Sequence, residues 1–257
     1  MLAYSHHQPN LAYAEMPTLV FLHGLLGSGE DWQNCIQYLQ DYSTITLDLP
    51  GHGTSVQLRC DGFDDVCQQV SQTLQSLLSP DQAVIIVGYS LGGRIAMHGI
   101  ANHCFDKLNL VKAFIEGGNF GLVDESARQD RDRQDQAWGQ RFKSEPIAQV
   151  LNDWYQQAVF SSLNHEQRQT LIAQRSANLG TAISQMLLST SLAKQQPLLE
   201  PLGYSNIAVH YICGEKDSKF CQLAQQSGLS FSPIANAGHN VHHEQPQAFA
   251  NVIKNLI

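Results

Sequence analysis

The sequence predicts a single α/β domain: a mostly parallel central sheet with helices on both faces. Three observations point there. Short apolar runs alternate with helix-like stretches along most of the chain. The runs are near-continuous rather than alternating, as in strands buried on both faces. Several of them lead into glycine-containing turns.

The elements follow in order. Thr18–His23 (TLVFLH) reads as the first strand, and Glu30–Gln40 as the first helix. Ile45–Leu49 (ITLDL) is the next strand, followed by a helix over Phe63–Leu78. Ala83–Val87 (AVIIV) precedes a helix over Leu91–Cys104, and Val111–Ile115 (VKAFI) follows. From about Leu122 to Pro201 the rhythm breaks: no strand pattern appears, and Gln, Arg and Asp are frequent. This stretch is expected to be a helical insertion. Ile207–Cys213 (IAVHYIC), a helix at Phe220–Gln226, a strand at Leu229–Ala235 and a helix at Gln247–Ile257 close the chain. The division expected is therefore 1–121 and 202–257 as the two parts of the core, with 122–201 as a helical lid.

A chain of 257 residues suits one such domain. Its formal net charge of −8 argues against nucleic acid, which needs a basic face. No apolar run approaches the ~20 residues of a membrane span, so no stable membrane insertion is expected. Met1–Asn10 lacks the basic and apolar segments of a signal peptide. Six scattered cysteines form no Cys-x-x-Cys pair and read as reduced thiols, which points to a cytoplasmic protein.

The chemistry is concentrated in Ala83–Gly93 (AVIIVGYSLGG). A strand runs into Gly88-Tyr89-Ser90-Leu91-Gly92 and a helix follows, which is the Gly-x-Ser-x-Gly nucleophile elbow of an α/β-hydrolase fold. The turn lifts the serine oxygen above the sheet at a helix N-terminus, where developing negative charge is favoured. Ser90 is the candidate nucleophile. In this fold an acid and then a histidine come later in the chain. Asp217, in Gly214-Glu215-Lys216-Asp217 after a strand, is the candidate acid, with Glu215 as its rival. His239, in Ala237-Gly238-His239, is the candidate base; His242 and His243 just beyond it read as solvated. The oxyanion hole would take the backbone N–H groups of Leu25 and Leu91. His23 is read as shaping its loop. No metal-ligand spacing and no Gly-x-Gly-x-x-Gly occurs, so neither a metal nor an organic cofactor is expected.

Six of eight arginines (Arg128, Arg131, Arg133, Arg141, Arg168 and Arg175) fall in the insertion. Most can pair along helices, as Arg128 with Asp132 and Arg131 with Asp135 at i, i+4. Arg94 is different. It lies four residues after Ser90 on the same helix, and side chains lean toward a helix N-terminus. There a guanidinium can take a carboxylate in bidentate fashion, so the sequence suggests an anionic substrate.

Val87-Gly-Tyr-Ser-Leu-Gly-Gly-Arg94 resembles the elbow of the 2-succinyl-6-hydroxy-2,4-cyclohexadiene-1-carboxylate synthase (MenH) family of menaquinone biosynthesis. The likeness extends to LVFLHG (Leu19–Gly24), DLPGHG (Asp48–Gly53), DGFDDV (Asp61–Val66), Glu116-Gly117-Gly118, WYQQ (Trp154–Gln157), CGEKDSKF (Cys213–Phe220) and AGHN (Ala237–Asn240). DLPGHG and AGH are shared by many α/β-hydrolases; GYSLGGR, WYQQ and CGEKDSKF are more specific. Leu25 stands where family members have Phe, and Ala158 where they have Pro.

The resemblance implies a Ser90–His239–Asp217 triad and substrate contacts from Tyr89, Arg94, Arg131, Trp154, Phe160 and Arg175. Arg128 and Arg133 lie close enough to stand in for Arg131. It also implies a polycarboxylate substrate and elimination of pyruvate without a cofactor. A triad alone suits a carboxylesterase or thioesterase for a small anionic substrate just as well. A non-catalytic small-molecule receptor on this fold remains a third reading, against which three intact triad members speak.

Overall fold

The computed structural model describes residues 1–9 and 16–257. In chain order the elements are β1 (Tyr4–His7), β2 (Thr18–Leu22), a 3-10 turn (Gly29–Trp32), α1 (Gln33–Ile36), β3 (Thr44–Leu47), α2 (Phe63–Leu77), β4 (Ala83–Tyr89), α3 (Leu91–Ala101) and β5 (Asn109–Glu116). Then come α4 (Glu125–Ser144), α5 (Ile147–Trp154), α6 (His165–Arg175), α7 (Gly180–Ser189) and α8 (Leu199–Gly203). The chain closes with β6 (Ala208–Gly214), α9 (Ser218–Ser227), β7 (Ser230–Ile234), α10 (Val241–Glu244) and α11 (Pro246–Leu256).

The seven strands lie in the order β1-β3-β2-β4-β5-β6-β7. All neighbours are parallel except β1, which pairs antiparallel with β3. From β2 the chain moves to β3 on one side, then returns to place β4 on the other side of β2. The connections thus diverge at the C-terminal ends of β2 and β4, where a parallel sheet opens a crevice for ligands. β4 shows why the apolar runs are continuous. Val84 and Ile86 enter the core that α2, α3 and α9 complete, while Ile85 and Val87 face Trp32 and the α11 residues Phe249 and Ile253.

The helices between β5 and β6 bury a core of their own, with Phe142, Val150, Leu151, Leu171, Ile172, Ile183 and Leu187 packed on Leu26 of the sheet domain. Among the described residues, no helix is long and apolar enough to cross a membrane.

Two local expectations are corrected, and one strand is added. Glu30–Gln40 is not one helix but a 3-10 turn followed by the single turn of α1. The polar strand β1 (YSHH) has no counterpart in the sequence reading, because an exposed edge strand carries no apolar run. Neither His242 nor His243 is solvated: His243 is half-buried, its ring 4.5 Å from that of His242. His242 is 1% exposed, its Nδ1 lies 2.7 Å from Glu116 Oε2, and its ring stacks on Trp32.

Candidate active site

Ser90 ends β4 and opens α3 with φ +48° and ψ −104°. A non-glycine residue there is strained by about 1–3 kcal/mol and persists because its surroundings fix it. Its N–H donates to Glu116 O at 2.7 Å, and its carbonyl accepts from Arg94 N–H at 3.0 Å. The turn can be this tight because of Gly92, where a Cβ would stand 2.1 Å from Leu22 O.

Asp217 caps α9, its Oδ1 accepting the Phe220 N–H at 3.3 Å. Its Oδ2 lies 2.7 Å from His239 Nδ1. A Nδ1–H donated to this carboxylate leaves Nε2 as the basic nitrogen. The imidazole is buried between Phe220 and Tyr89, with ring centroids at 4.6 and 5.4 Å, and meets the Phe160 ring edge-on at 6.4 Å. Gly117, at φ +59°, holds backbone against this ring; a Cβ there would come within 2.7 Å of His239 Cε1. Glu215, the rival acid, is exposed and has no ion pair or side-chain hydrogen bond among the described residues.

Leu25 and Leu91 line one cavity of about 110 Å³ together with Ser90. Neither backbone N–H is engaged by another group among the described residues. Two buried histidines shape the Leu25 loop. His23 Nε2 accepts the Leu49 N–H and His52 Nε2 accepts the Leu26 N–H, both at 3.0 Å. Burial keeps both rings neutral, pushing the pKa of His52 down to about 3.

Among the described residues, three cations line the same cavity (Arg94, Arg131 and Lys219) and no carboxylate does. Arg94 is buried, and its Nη1 donates to Thr190 O at 2.9 Å and to Gln195 Oε1 at 3.3 Å. It has no acid partner among the described residues. Burial first, and then the neighbouring Arg131, lower its pKa to about 9, so it stays charged at neutral pH. Arg131 reaches the cavity from α4, its Nε 2.8 Å from Asp135 Oδ1, while Ser191 donates to the other oxygen of that carboxylate. Trp154 completes an apolar wall, set edge-on against Trp138 at 5.0 Å.

Three of the anticipated substrate contacts sit elsewhere. Tyr89 lies beneath the site, donating its hydroxyl to Asn240 and packing on His239 and His242. Phe160 borders the imidazole rather than the Ser90 cavity. Arg175 does not line this cavity: its Nη2 lies 2.7 Å from Asp31 Oδ1, and both side chains are buried. Asn119, Thr190 and Lys219 line the cavity without having been singled out in the sequence. Only Lys219, inside the CGEKDSKF motif, left a trace there.

The parallel sheet, the elbow serine and its acid–histidine pair define the class. The chain belongs to the alpha/beta hydrolase family, which it matches over residues 19–252. Its relatives narrow this further. It is 49% identical over 235 residues, 91% of this chain and 85% of theirs, to the 2-succinyl-6-hydroxy-2,4-cyclohexadiene-1-carboxylate synthases of Yersinia pseudotuberculosis serotype O:3 (strain YPIII) and serotype I (strain IP32953). Within the hydrolase class it belongs to that synthase family. Among solved structures, MenH from S. aureus superposes with a TM-score of 0.89 at 26% identity, covering 99% of this chain and 97% of that one. A malate-bound thermophilic esterase from Thermogutta terrifontis, at 16% identity and TM-score 0.78 over 99% and 92% of the two chains, shares the fold alone.

Proposed function

We propose that this chain eliminates pyruvate from 2-succinyl-5-enolpyruvyl-6-hydroxy-3-cyclohexene-1-carboxylate, giving 2-succinyl-6-hydroxy-2,4-cyclohexadiene-1-carboxylate, the product that names its relatives. The observation that carries the reading is the cavity at Ser90, which among the described residues is lined by three cations and no carboxylate, in a protein of net charge −8. A hydrolase for neutral esters gains nothing from a buried guanidinium without an acid partner. A substrate with three carboxylates does, because such contacts are charge-assisted and bidentate at arginine.

His239, held by Asp217, takes the hydroxyl proton of Ser90. Ser90 Oγ then removes the ring proton alpha to the succinyl ketone. The enolate oxygen is stabilised by the N–H groups of Leu25 and Leu91. The electron pair moves through the ring double bond and expels the enolpyruvyl oxygen, which leaves as pyruvate enolate and takes a proton to become pyruvate. Arg94 and Arg131 hold substrate carboxylates, and Trp154 covers the ring. Tyr89 and Phe160 act by packing His239 in place.

Residues 122–201 serve as a lid whose arginine Arg131 completes the site and excludes water. Six cysteines without disulfides suit a cytoplasmic setting.

The test is pyruvate release from the enolpyruvyl precursor, followed by coupling to lactate dehydrogenase beside a no-enzyme blank. Rapid release by wild type and loss in Ser90→Ala are expected. Release no faster than the blank would leave an active triad for another small acidic substrate.

A further inference from the structure

The substrate just proposed carries three carboxylates, whereas the two arginines on the cavity wall supply two contacts. Arg175, which the resemblance offered as the third, is committed to Asp31 in a buried pair off the cavity. The third cation at Ser90 is Lys219. It sits on the first turn of α9, two residues after the triad acid, with its Nζ 5.6 Å from the centroid of the Phe220 ring. That ring in turn packs on His239. The lysine stem thus runs along the aromatic shelf of the triad histidine and brings its ammonium to the cavity rim. Lys219 is exposed and has no acid partner among the described residues.

Its position has a second feature. Lys219 also lines an adjoining cavity of about 320 Å³ bounded by Ser161, Ser162, Lys216, Asp217, Gly238 and His239. Among the described residues it alone lines both cavities. A group moving from Ser90 toward that second cavity would meet this ammonium. The only part of the substrate that must depart first is the enolpyruvyl arm.

Resting on the elimination reading, we infer that Lys219 is a specificity-determining residue that binds the carboxylate of the leaving enolpyruvyl group and hands pyruvate to the side cavity. Lys216, three residues earlier in the loop before α9, lines the side cavity and not the Ser90 cavity, so it serves as the internal control.

The experiment compares steady-state pyruvate release by wild type, Lys219→Gln, Lys219→Arg and Lys216→Gln, with added pyruvate as inhibitor. Lys219→Gln should raise KM about tenfold and weaken pyruvate inhibition to a similar degree, as expected for one charge-assisted contact. Lys219→Arg should stay within about threefold of wild type, because the charge is kept. Lys216→Gln should change neither quantity. Unchanged kinetics or unchanged pyruvate inhibition in Lys219→Gln would overturn the inference. So would an equal loss in Lys216→Gln, because it would show a diffuse field rather than a contact. A wild type no faster than the blank would instead overturn the elimination reading, and Lys219's role with it.

Discussion

Arg94 should be a residue that the fold would be more stable without. Its guanidinium is buried, without an acid partner among the described residues, in surroundings that lower its pKa to about 9. At ~1.4 kcal/mol per pKa unit, holding it charged costs the folded chain on the order of 5 kcal/mol. Its hydrogen bonds to Thr190 O and Gln195 Oε1 return about 1–3 kcal/mol together. The sign follows from the proton count. Between pH 9 and the free guanidinium's pKa the unfolded chain binds the extra proton, so stability rises with pH there. Below pH 9 the full cost is present.

Arg94→Met should therefore gain roughly 2–4 kcal/mol, since apolar replacement of a buried charge is often stabilising. For a chain of this size that raises Tm by a few degrees. The same substitution removes a charge-assisted contact worth about 1.5–3 kcal/mol, lowering kcat/KM about 10- to 150-fold. Thermal melts and pyruvate release on one preparation check both halves. A Tm several degrees lower with kcat/KM retained would refute the reasoning, because it would make Arg94 a structural residue.

Further outcomes follow from the same geometry. Asp217→Asn removes the carboxylate that fixes the His239 Nδ1–H tautomer and should lower kcat about 10³- to 10⁴-fold, read in the same assay. Gly117→Ala drives a Cβ into His239 Cε1 and should cost about 100-fold in kcat, with far-UV circular dichroism unchanged. Arg175→Ala leaves Asp31 buried and unpaired and should cost about 3–5 kcal/mol in urea unfolding. Acid should destabilise the chain in a defined window. His52, His242 and His243 each titrate near pH 3 when folded, below their ordinary 6.5, because burial disfavours the cation. Burial raises Glu116 to about 8 from 4.5, so it opposes them. Between pH 4.5 and 6.5 the unfolded chain gains up to three histidine protons and lacks one on Glu116, a net of about two. Unfolding free energy should then fall by up to ~2.7 kcal/mol per pH unit on acidification. Urea midpoints at several pH values check this.

What the sequence disclosed, and what it withheld, divides along physical lines. β2, β4 and β6 were readable because strands buried on both faces must be apolar at nearly every position. The elbow was readable because only glycine fits two residues to either side of Ser90, where a Cβ on Gly88 would meet Gly92 O and one on Gly92 would meet Leu22 O. β1 was not readable, because its side chains are polar and only its backbone pairs. The Arg175–Asp31 pair joins residues 144 positions apart, and no local pattern encodes such a contact. His242 looked like one more polar residue beside His243; its burial depends on Glu116 and Trp32, which arrive from other elements. Arg94 could be placed on the serine's side of α3 from helical spacing alone, but its lack of an acid partner required the packed structure.

The most direct test of the central claim is intact-mass spectrometry of the enzyme quenched during turnover of the enolpyruvyl substrate, with pyruvate counted in parallel. Elimination with Ser90 as base predicts an unmodified chain and one pyruvate released per product formed. A covalent substrate adduct at Ser90, accumulating within the first turnover, would contradict it and make the protein a hydrolase in chemistry as well as in fold.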